Sequence, residues 1–86
     1  MKYNLKQQSR IKEAELQLSG ETQKAVWSII RQRGHERGKV IATNIQRSSE
    51  NVINVLNKLI TFKMVDRVEG IRGAYKVSKY ILEGEK

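Results

Sequence analysis

The clearest hydrophobic pattern in the chain lies between positions 48 and 62, where apolar residues recur every three or four positions. This spacing lines one side of a helix, and either Ser48 or Ser49 has a hydroxyl suited to cap the first turn. The pattern therefore predicts a helix whose core-facing stripe consists of Val52, Val55, Leu56, Leu59 and Phe62.

The opposite face of this predicted helix is polar. At about 100° of rotation per residue, six side chains point away from the stripe or flank it: Glu50, Asn51, Asn54, Asn57, Lys58 and Thr61. The face carries amides and a hydroxyl but few charges, so it is available to solvent or to a partner.

Another helical pattern lies upstream. It runs from a cap at Ser19 to a stop at Gly34, and its stripe consists of Ala25, Val26, Ile29 and Ile30. Trp27 lies at the edge of that stripe, where its large amphipathic ring either covers the core or contacts a partner.

The segment between these two helices begins with a predicted loop, which starts at Gly34 and ends at Gly38. A second short helix follows and ends near Gln46, with Val40, Ile41, Ala42 and Ile45 as its apolar residues. A tight turn then leads to the long helix.

Beyond Met64 the helical pattern changes to an alternating one. Residues 65–68 and 74–77 are rich in β-forming side chains and are separated by a glycine-containing segment, which predicts a hairpin. Ser78 is placed to cap a short closing helix through Leu82, followed by a frayed end over residues 83–86.

Residues 1–18 give a weaker signal than the rest of the chain. Leu5, Ile11, Leu16 and Leu18 are spaced too irregularly for a clean helical stripe. We therefore expect a basic N-terminal arm or helix over residues 1–18, followed by one folded domain over residues 19–86.

Length, composition and charge indicate a small folded domain with an anionic partner. Eighty-six residues suffice for one compact core. Hydrophobic residues at 38% and charged residues at 30% are typical of a soluble globular protein. Seventeen Lys and Arg against nine Asp and Glu give a formal charge of +8, so nucleic acid is the first partner to consider.

Several kinds of chemistry have no residues to support them in this sequence. The chain has no cysteine, which excludes disulfides, thiolate catalysis and cysteine-based zinc sites. His35 is the single histidine and no phosphate-binding loop follows a strand, so we expect no enzyme, metal or cofactor. The sequence has no signal-peptide core and no run of eighteen apolar residues, so we expect a cytoplasmic protein without a membrane partner.

The order of helix, short helix, turn, long helix and hairpin resembles the winged helix-turn-helix superfamily. From Ile41, the stretch IATNIQRSSENVINVLNKLITFKMV is similar to the consensus of MarR-type and GntR-type regulators, and Tyr75-Lys76-Val77-Ser78 is similar to the strand-to-helix junction of MarR-like proteins. The resemblance covers residues 21–82. It implies a mainly helical fold with a small β-hairpin, namely a three-helix core plus a wing.

Two places depart from that consensus. Gln46 and Arg47 stand where the turn usually has a glycine followed by an apolar residue. Lys63 stands where a glycine usually precedes the last apolar pair. Both differences concern the geometry of turns and leave the fold prediction unchanged.

The resemblance also implies that the long helix reads the major groove of double-stranded DNA. The candidate DNA-binding residues on and before this helix are Arg47, Ser48, Ser49, Asn51, Asn54 and Lys58. Asparagine forms paired hydrogen bonds with adenine, which favours a site containing A and T. The alternative is that these side chains form an ordinary solvated helix face.

The predicted hairpin adds a second group of cations, Arg67, Arg72 and Lys76. Arg72 lies near a glycine-flanked tip and would reach a neighbouring groove or its phosphates, although a charged edge that prevents strand pairing is the alternative. Other candidates for phosphate contacts are Arg31, Arg33, Arg37 and Lys39. Six such contacts would give a salt slope of about five.

Ile53 and Ile60 lie on one flank of the long helix, outside its main stripe. They indicate either a homodimer, which would read two half-sites, or a contact with the folded-back N-terminal segment. Three functions remain open: a small transcriptional regulator, a non-specific architectural DNA binder, and a protein-interaction module of a transcription, replication or partition assembly. In the last case Trp27 and Ile53 would be anchors.

Overall fold

The structure is a computed structural model that describes residues 2–84, and within this range the chain is mainly helical with one small sheet. In chain order the elements are α1 (Leu5–Glu15), α2 (Glu21–Arg33), β1 (His35–Arg37), α3 (Gly38–Ile45), α4 (Ser49–Thr61), β2 (Val65–Arg67), β3 (Ala74–Val77) and α5 (Lys79–Glu83). The end of the predicted frayed tail, Glu85 and Lys86, lies outside the described residues. No helix within residues 2–84 is both long enough and apolar enough to cross a membrane.

The predicted hairpin is present and belongs to a three-stranded sheet. β2 and β3 pair antiparallel, with Val65 opposite Val77 and Arg67 opposite Tyr75. β1 pairs with the other side of β3, so the strand order is β1-β3-β2. Residues 65–77, comprising β2, the connecting loop and β3, are called the wing below.

The loop predicted between Gly34 and Gly38 is wrong, because His35–Arg37 form strand β1. Both ends of this strand are fixed by backbone hydrogen bonds to the wing: Val77 N donates to Gly34 O and Gly38 N donates to Gly73 O, each at 2.9 Å. A three-residue polar segment has no alternation that would predict a strand. It becomes one because β3 offers an unpaired edge.

The core confirms the helical stripes predicted from the sequence. The fully buried apolar side chains are Ile11, Val26, Ile30, Ile41, Val52, Leu56, Leu59, Met64, Val65, Val77 and Ile81. Val52, Leu56 and Leu59 are the inner positions of α4, while Val55 and Phe62 are partly buried against the same cluster. α4 therefore presents its opposite face to solvent.

The N-terminal segment forms a helix that covers part of this core. Asn4 and Gln7 form a reciprocal capping box at the start of α1, and Ala14 is buried on its inner side. Trp27 is only 2% exposed, and its Nε1 donates a hydrogen bond to Glu15 Oε2 at 2.7 Å. Of the two alternatives for Trp27, the structure therefore agrees with the one in which its ring covers the core and not with the one in which it is an exposed anchor.

The predicted helix caps are confirmed at two of three positions. Ser48 and Ser78 each accept a hydrogen bond from the backbone N–H three residues later, at 3.1 Å. Ser19 does not cap α2, because the N-cap is Gly20 and no side chain bonds to this helix end. The helix therefore starts with less local stabilisation than predicted.

Both positions that depart from the glycine consensus adopt left-handed backbone conformations. Gln46 has φ 57° and Lys63 has φ 63°. In each case the next N–H donates to a carbonyl five residues back, at 3.0 and 2.9 Å, which is the Schellman motif. The turns are therefore kept without glycine, at a cost of about 1 kcal/mol each.

Candidate nucleic-acid interface

The exposed face of α4 is the centre of the candidate interface. α3 and α4 are joined by the turn at Gln46 and Arg47, and the Ser48 cap fixes where α4 begins. All six predicted side chains of this region are exposed: Arg47, Ser48, Ser49, Asn51, Asn54 and Lys58. The structure thus presents them on one short segment, α4 and the turn before it.

The two asparagines on this face are available to a ligand. Within residues 2–84, no hydrogen bond engages the side-chain amides of Asn51 and Asn54. Glu50 is exposed in the first turn of the same helix. The face thus offers two amides with free donors and acceptors and one carboxylate, on a helix whose other side is locked in the core.

A side-chain hydrogen bond joins the wing to α4. Arg67 Nη2 donates to Asn57 Oδ1 at 2.9 Å. The prediction placed Arg67 among the DNA contacts, and the structure gives it an internal partner as well. The sequence carried no sign of this bond, because the two residues are ten positions apart in different elements.

The tip of the wing is shaped by two consecutive turns. Ile71 N donates to Val68 O, and Ile71 O accepts from Ala74 N, at 3.4 and 3.3 Å. Gly70 has φ 80° and Gly73 has φ 75°, which are values that residues with side chains rarely adopt. Exposed Arg72 therefore lies in a defined tip, as predicted.

Ile71, the neighbour of Arg72 at the wing tip, is 45% exposed. The wing tip is therefore not purely cationic. The tip exposes both the apolar side chain of Ile71 and the guanidinium of Arg72.

The remaining predicted cations lie at different distances along the sheet. Arg37 is opposite Ala74, the first residue of β3 after the wing loop. Exposed Lys39 follows in the first turn of α3. Exposed Lys76 lies further along β3, with Asp66 as its neighbour on β2. The structure therefore brings Arg37 to the base of the wing loop, while Lys76 has an acidic neighbour.

Two of the predicted phosphate contacts are instead engaged in ion pairs. Among residues 2–84, the ion pairs join Arg31 to Glu15 at 3.4 Å and Arg33 to Glu36 at 2.8 Å. Arg31 also anchors the start of the chain, because its carbonyl accepts a hydrogen bond from the Tyr3 hydroxyl at 2.6 Å. Burial raises the pKa of Tyr3, and the nearby Arg31 charge opposes that shift.

Glu36 is the carboxylate with the best-defined surroundings. Its Oε1 accepts from Arg37 N and its Oε2 from Arg33 Nη1, both at 2.8 Å. The backbone hydrogen bond from Arg37, followed by the one from Arg33, lowers the pKa of Glu36 below its ordinary value of 4.5. Glu36 thus neutralises part of the positive charge between α2 and α3.

The structure separates the two isoleucines that the sequence grouped on one flank. Ile60 is partly buried against the core, whereas Ile53 is 41% exposed. Ile53 therefore remains an apolar side chain at the border of the polar face. No cluster of three or more acidic or histidine side chains suited to a metal ion occurs in the described part of the chain.

Comparison with known proteins supports the fold. No protein-family model matches the sequence, and no curated protein matches it. Among solved structures, the chain is similar to the Zbeta domain of human DAI, whose solution structure was determined together with its binding modes to B- and Z-DNA. The TM-score is 0.65 with 20% identity, over 73% of this chain and 91% of that domain.

At this level of identity the likeness concerns the fold. The chain has a winged-helix fold, with a mainly helical core and a three-stranded antiparallel sheet. α2, α3 and α4 form the predicted three-helix core, and β2 and β3 form the predicted wing.

Proposed function

We propose that this protein binds double-stranded DNA, with α4 in the major groove and the wing over an adjacent groove or its phosphates. The observation that carries the proposal is the exposed face of α4. Asn51 and Asn54 have free side-chain amides there, on a helix with a capped start and a buried opposite side. A helix of this kind fits the major groove and presents its first turns to base edges.

Direct reading of bases would come from the asparagines. An asparagine side chain forms two hydrogen bonds with adenine: its amide N–H donates to N7, and its amide oxygen accepts from the N6 amino group. Glu50, in the first turn, accepts from a cytosine amino group in the same geometry. We therefore expect a DNA site that contains A and T, with a cytosine at a position that Glu50 contacts.

Binding strength would come from cations around this face. Within residues 2–84, none of the following lies within 4.0 Å of a carboxylate: Arg37, Lys39, Arg47, Lys58, Arg72 and Lys76. Cations that form no ion pair within the protein displace counterions when they contact DNA phosphates, so the affinity for DNA falls as the salt concentration rises. Six such contacts correspond to a slope of about five in log affinity against log salt.

The bond from Arg67 to Asn57 supports joint use of the wing and α4. It connects the two elements directly at 2.9 Å, and the bond from Gly38 N to Gly73 O connects the start of α3 to the wing loop at 2.9 Å. The elements that carry the cations are thereby held in a fixed relation. A rigid surface loses less entropy on binding than a mobile one.

The similar solved domain supports a nucleic-acid partner for this fold and suggests which duplexes to test. That domain is described with binding modes to both B- and Z-DNA. We infer for the present chain a small transcriptional regulator acting on B-form DNA in the cytoplasm. A non-specific architectural binder would differ by showing equal affinity for all sequences.

A protein-interaction module is the second candidate. It is favoured by the apolar side chains that border the proposed DNA surface, since Ile53 is 41% and Ile71 45% exposed. Exposed apolar side chains of this kind can become buried anchors when a protein partner binds. In that case the chain would have a protein partner in a transcription, replication or partition assembly.

The deciding experiment is a selection from random duplexes at physiological salt, followed by affinity measurements with the selected duplex, a scrambled B-form duplex and a Z-form duplex. Asn54→Ala is expected to lose about 1–3 kcal/mol of sequence discrimination, and Arg72→Ala to weaken binding of every duplex and reduce the salt slope by about one. Exposed Lys24 of α2 supplies the control, as Lys24→Ala.

Unchanged affinity of both Asn54→Ala and Arg72→Ala would remove the proposed surface. Absence of any duplex binding by the wild-type chain would favour the protein-interaction module. Tighter binding of the Z-form duplex than of any B-form duplex would overturn the assignment of B-form DNA.

A further inference from the structure

Two strongly exposed leucines lie on the outer side of α1, one at its first residue and one at the C-cap that follows its last residue. Leu5 is 83% and Leu16 is 85% exposed. They are eleven positions apart, which is three helical turns, so they lie on the same face about 16 Å from each other. Ser9 and Lys12 lie between them on this face, and both are exposed.

α1 is held firmly on its inner side, so these leucines are presented on a rigid element. Ile11 and Ala14 are buried in the core. Gln7 Nε2 donates to Leu82 O at 3.0 Å, and Arg10 Nη1 donates to Ile81 O at 2.8 Å. The leucines cannot turn inward without breaking these contacts.

The positions on this outer face are symmetric about the middle of the helix. Leu5, Ser9, Lys12 and Leu16 follow one another at intervals of four, three and four residues. This is the spacing of the contact positions of a coiled coil. When two copies of α1 lie antiparallel, Leu5 of each copy meets Leu16 of the other.

The charges beside the leucines follow the same symmetry. Lys6 and Glu13 are exposed on one flank of this face, and within residues 2–84 neither takes part in an ion pair. In the antiparallel arrangement Lys6 of one copy lies near Glu13 of the other, on both sides of the twofold axis. The two leucines and the flanking Lys6 and Glu13 are thus complementary to their counterparts, while Lys12 lies near the axis on both copies.

We propose that the protein forms a homodimer through the outer faces of two antiparallel α1 helices. A twofold contact of this kind is closed, so association stops at two copies. The contact involves only three turns from each chain and is smaller than a standard interface. The dimer is therefore weak and forms as the concentration rises.

The test is sedimentation equilibrium of the full chain without DNA, from about 10 µM to about 1 mM. We expect the wild-type mass to rise from one chain to two and no further. Leu5→Ser combined with Leu16→Ser is expected to stay at one chain. The control combines Ile53→Ser with Ile71→Ser, which removes two other exposed apolar side chains and is expected to dimerise like wild type.

Charge reversal tests the orientation of the helices. Lys6→Glu alone and Glu13→Lys alone are expected to weaken the dimer, because each places like charges opposite each other. The two changes together restore the opposite charges and are expected to restore the dimer. Circular dichroism checks that every variant remains folded. We expect that they do, because the substituted side chains are exposed.

Four results would overturn the proposal: a wild-type chain that stays monomeric throughout, a mass beyond two chains, a dimer kept without the leucines, or a charge reversal that fails to restore the dimer, which would exclude the antiparallel arrangement. Since no DNA is present, none of these outcomes bears on whether a single chain binds a duplex.

Discussion

The hydroxyl of Ser78 donates a hydrogen bond to the carbonyl of Lys63 at 2.6 Å. The same oxygen accepts from Ile81 N at 3.1 Å, and Ser78 is 1% exposed. One buried hydroxyl therefore satisfies the carbonyl of a left-handed residue and caps α5.

Replacing Ser78 with alanine is expected to cost about 1–3 kcal/mol of unfolding free energy, because the buried N–H of Ile81 and the carbonyl of Lys63 both lose this hydrogen bond. Urea denaturation followed by circular dichroism measures this loss. Ser48→Ala is the matched control, since it removes an exposed cap and is expected to cost about 1 kcal/mol. A Ser78 variant no less stable than the Ser48 variant would contradict this account.

Glycine at position 46 is expected to stabilise the protein. Gln46 has φ 57°, a conformation that glycine adopts without strain, so Gln46→Gly should raise the unfolding free energy by up to about 1 kcal/mol. Gln46→Val should lower it, because a β-branched side chain is strained there. Thermal denaturation of the three proteins compares them, and an unfolding temperature lower for glycine than for glutamine is the contrary result.

The contact between Arg67 and Asn57 is expected to be cooperative. In a double-mutant cycle with Arg67→Ala and Asn57→Ala, the coupling should be about 0.5–1 kcal/mol, as for a hydrogen bond near solvent. Each single variant should also speed amide hydrogen exchange in the wing. Additive effects of the two changes on stability would show that the bond contributes nothing in solution.

Glu15 is expected to stabilise the packing of α1 on α2. Its Oε2 accepts from the buried indole of Trp27 at 2.7 Å, so Glu15→Ala leaves that N–H without a partner, at a cost of about 1–3 kcal/mol. Glu15→Gln keeps an acceptor and should lose much less. Tryptophan fluorescence during urea denaturation reports both, and equal losses in the two variants would exclude this role.

The lowered pKa of Glu36 predicts a loss of stability in acid. A carboxyl whose pKa is lower in the folded state contributes stability above its unfolded value of 4.5, and this contribution disappears as pH falls through the folded pKa. Glu36→Gln should therefore show a flatter decline of unfolding free energy below that pH. Carbon-detected NMR titration of Glu36 should give a value below 4.5, and a higher one contradicts the geometry.

The sequence predicts the long helix well because the relevant physics is local. Val52, Leu56 and Leu59 follow a period that specifies both the helix and its buried side, and Ser48 marks its start. The exposed asparagine face follows from the same rotation. Its use as a DNA surface depends on a partner and stays a prediction.

The features that sequence patterns miss depend on contacts between distant segments. β1 exists because β3 needs a partner, and its three polar residues carry no pattern of their own. Trp27 is buried because α1 covers it, and the spacing in residues 1–18 was too irregular to show that. The capping box of Asn4 and Gln7 is the local signal that predicts this helix.

Gln7 and Arg10 reach carbonyls that lie 75 and 71 positions further along the chain. During synthesis on the ribosome, α1 therefore cannot form these two hydrogen bonds until α5 has been made. Until then the contact of α1 with α2 through Glu15 and Trp27 is already possible. A variant that loosens this early contact would expose the nascent chain to proteases longer than its final stability suggests.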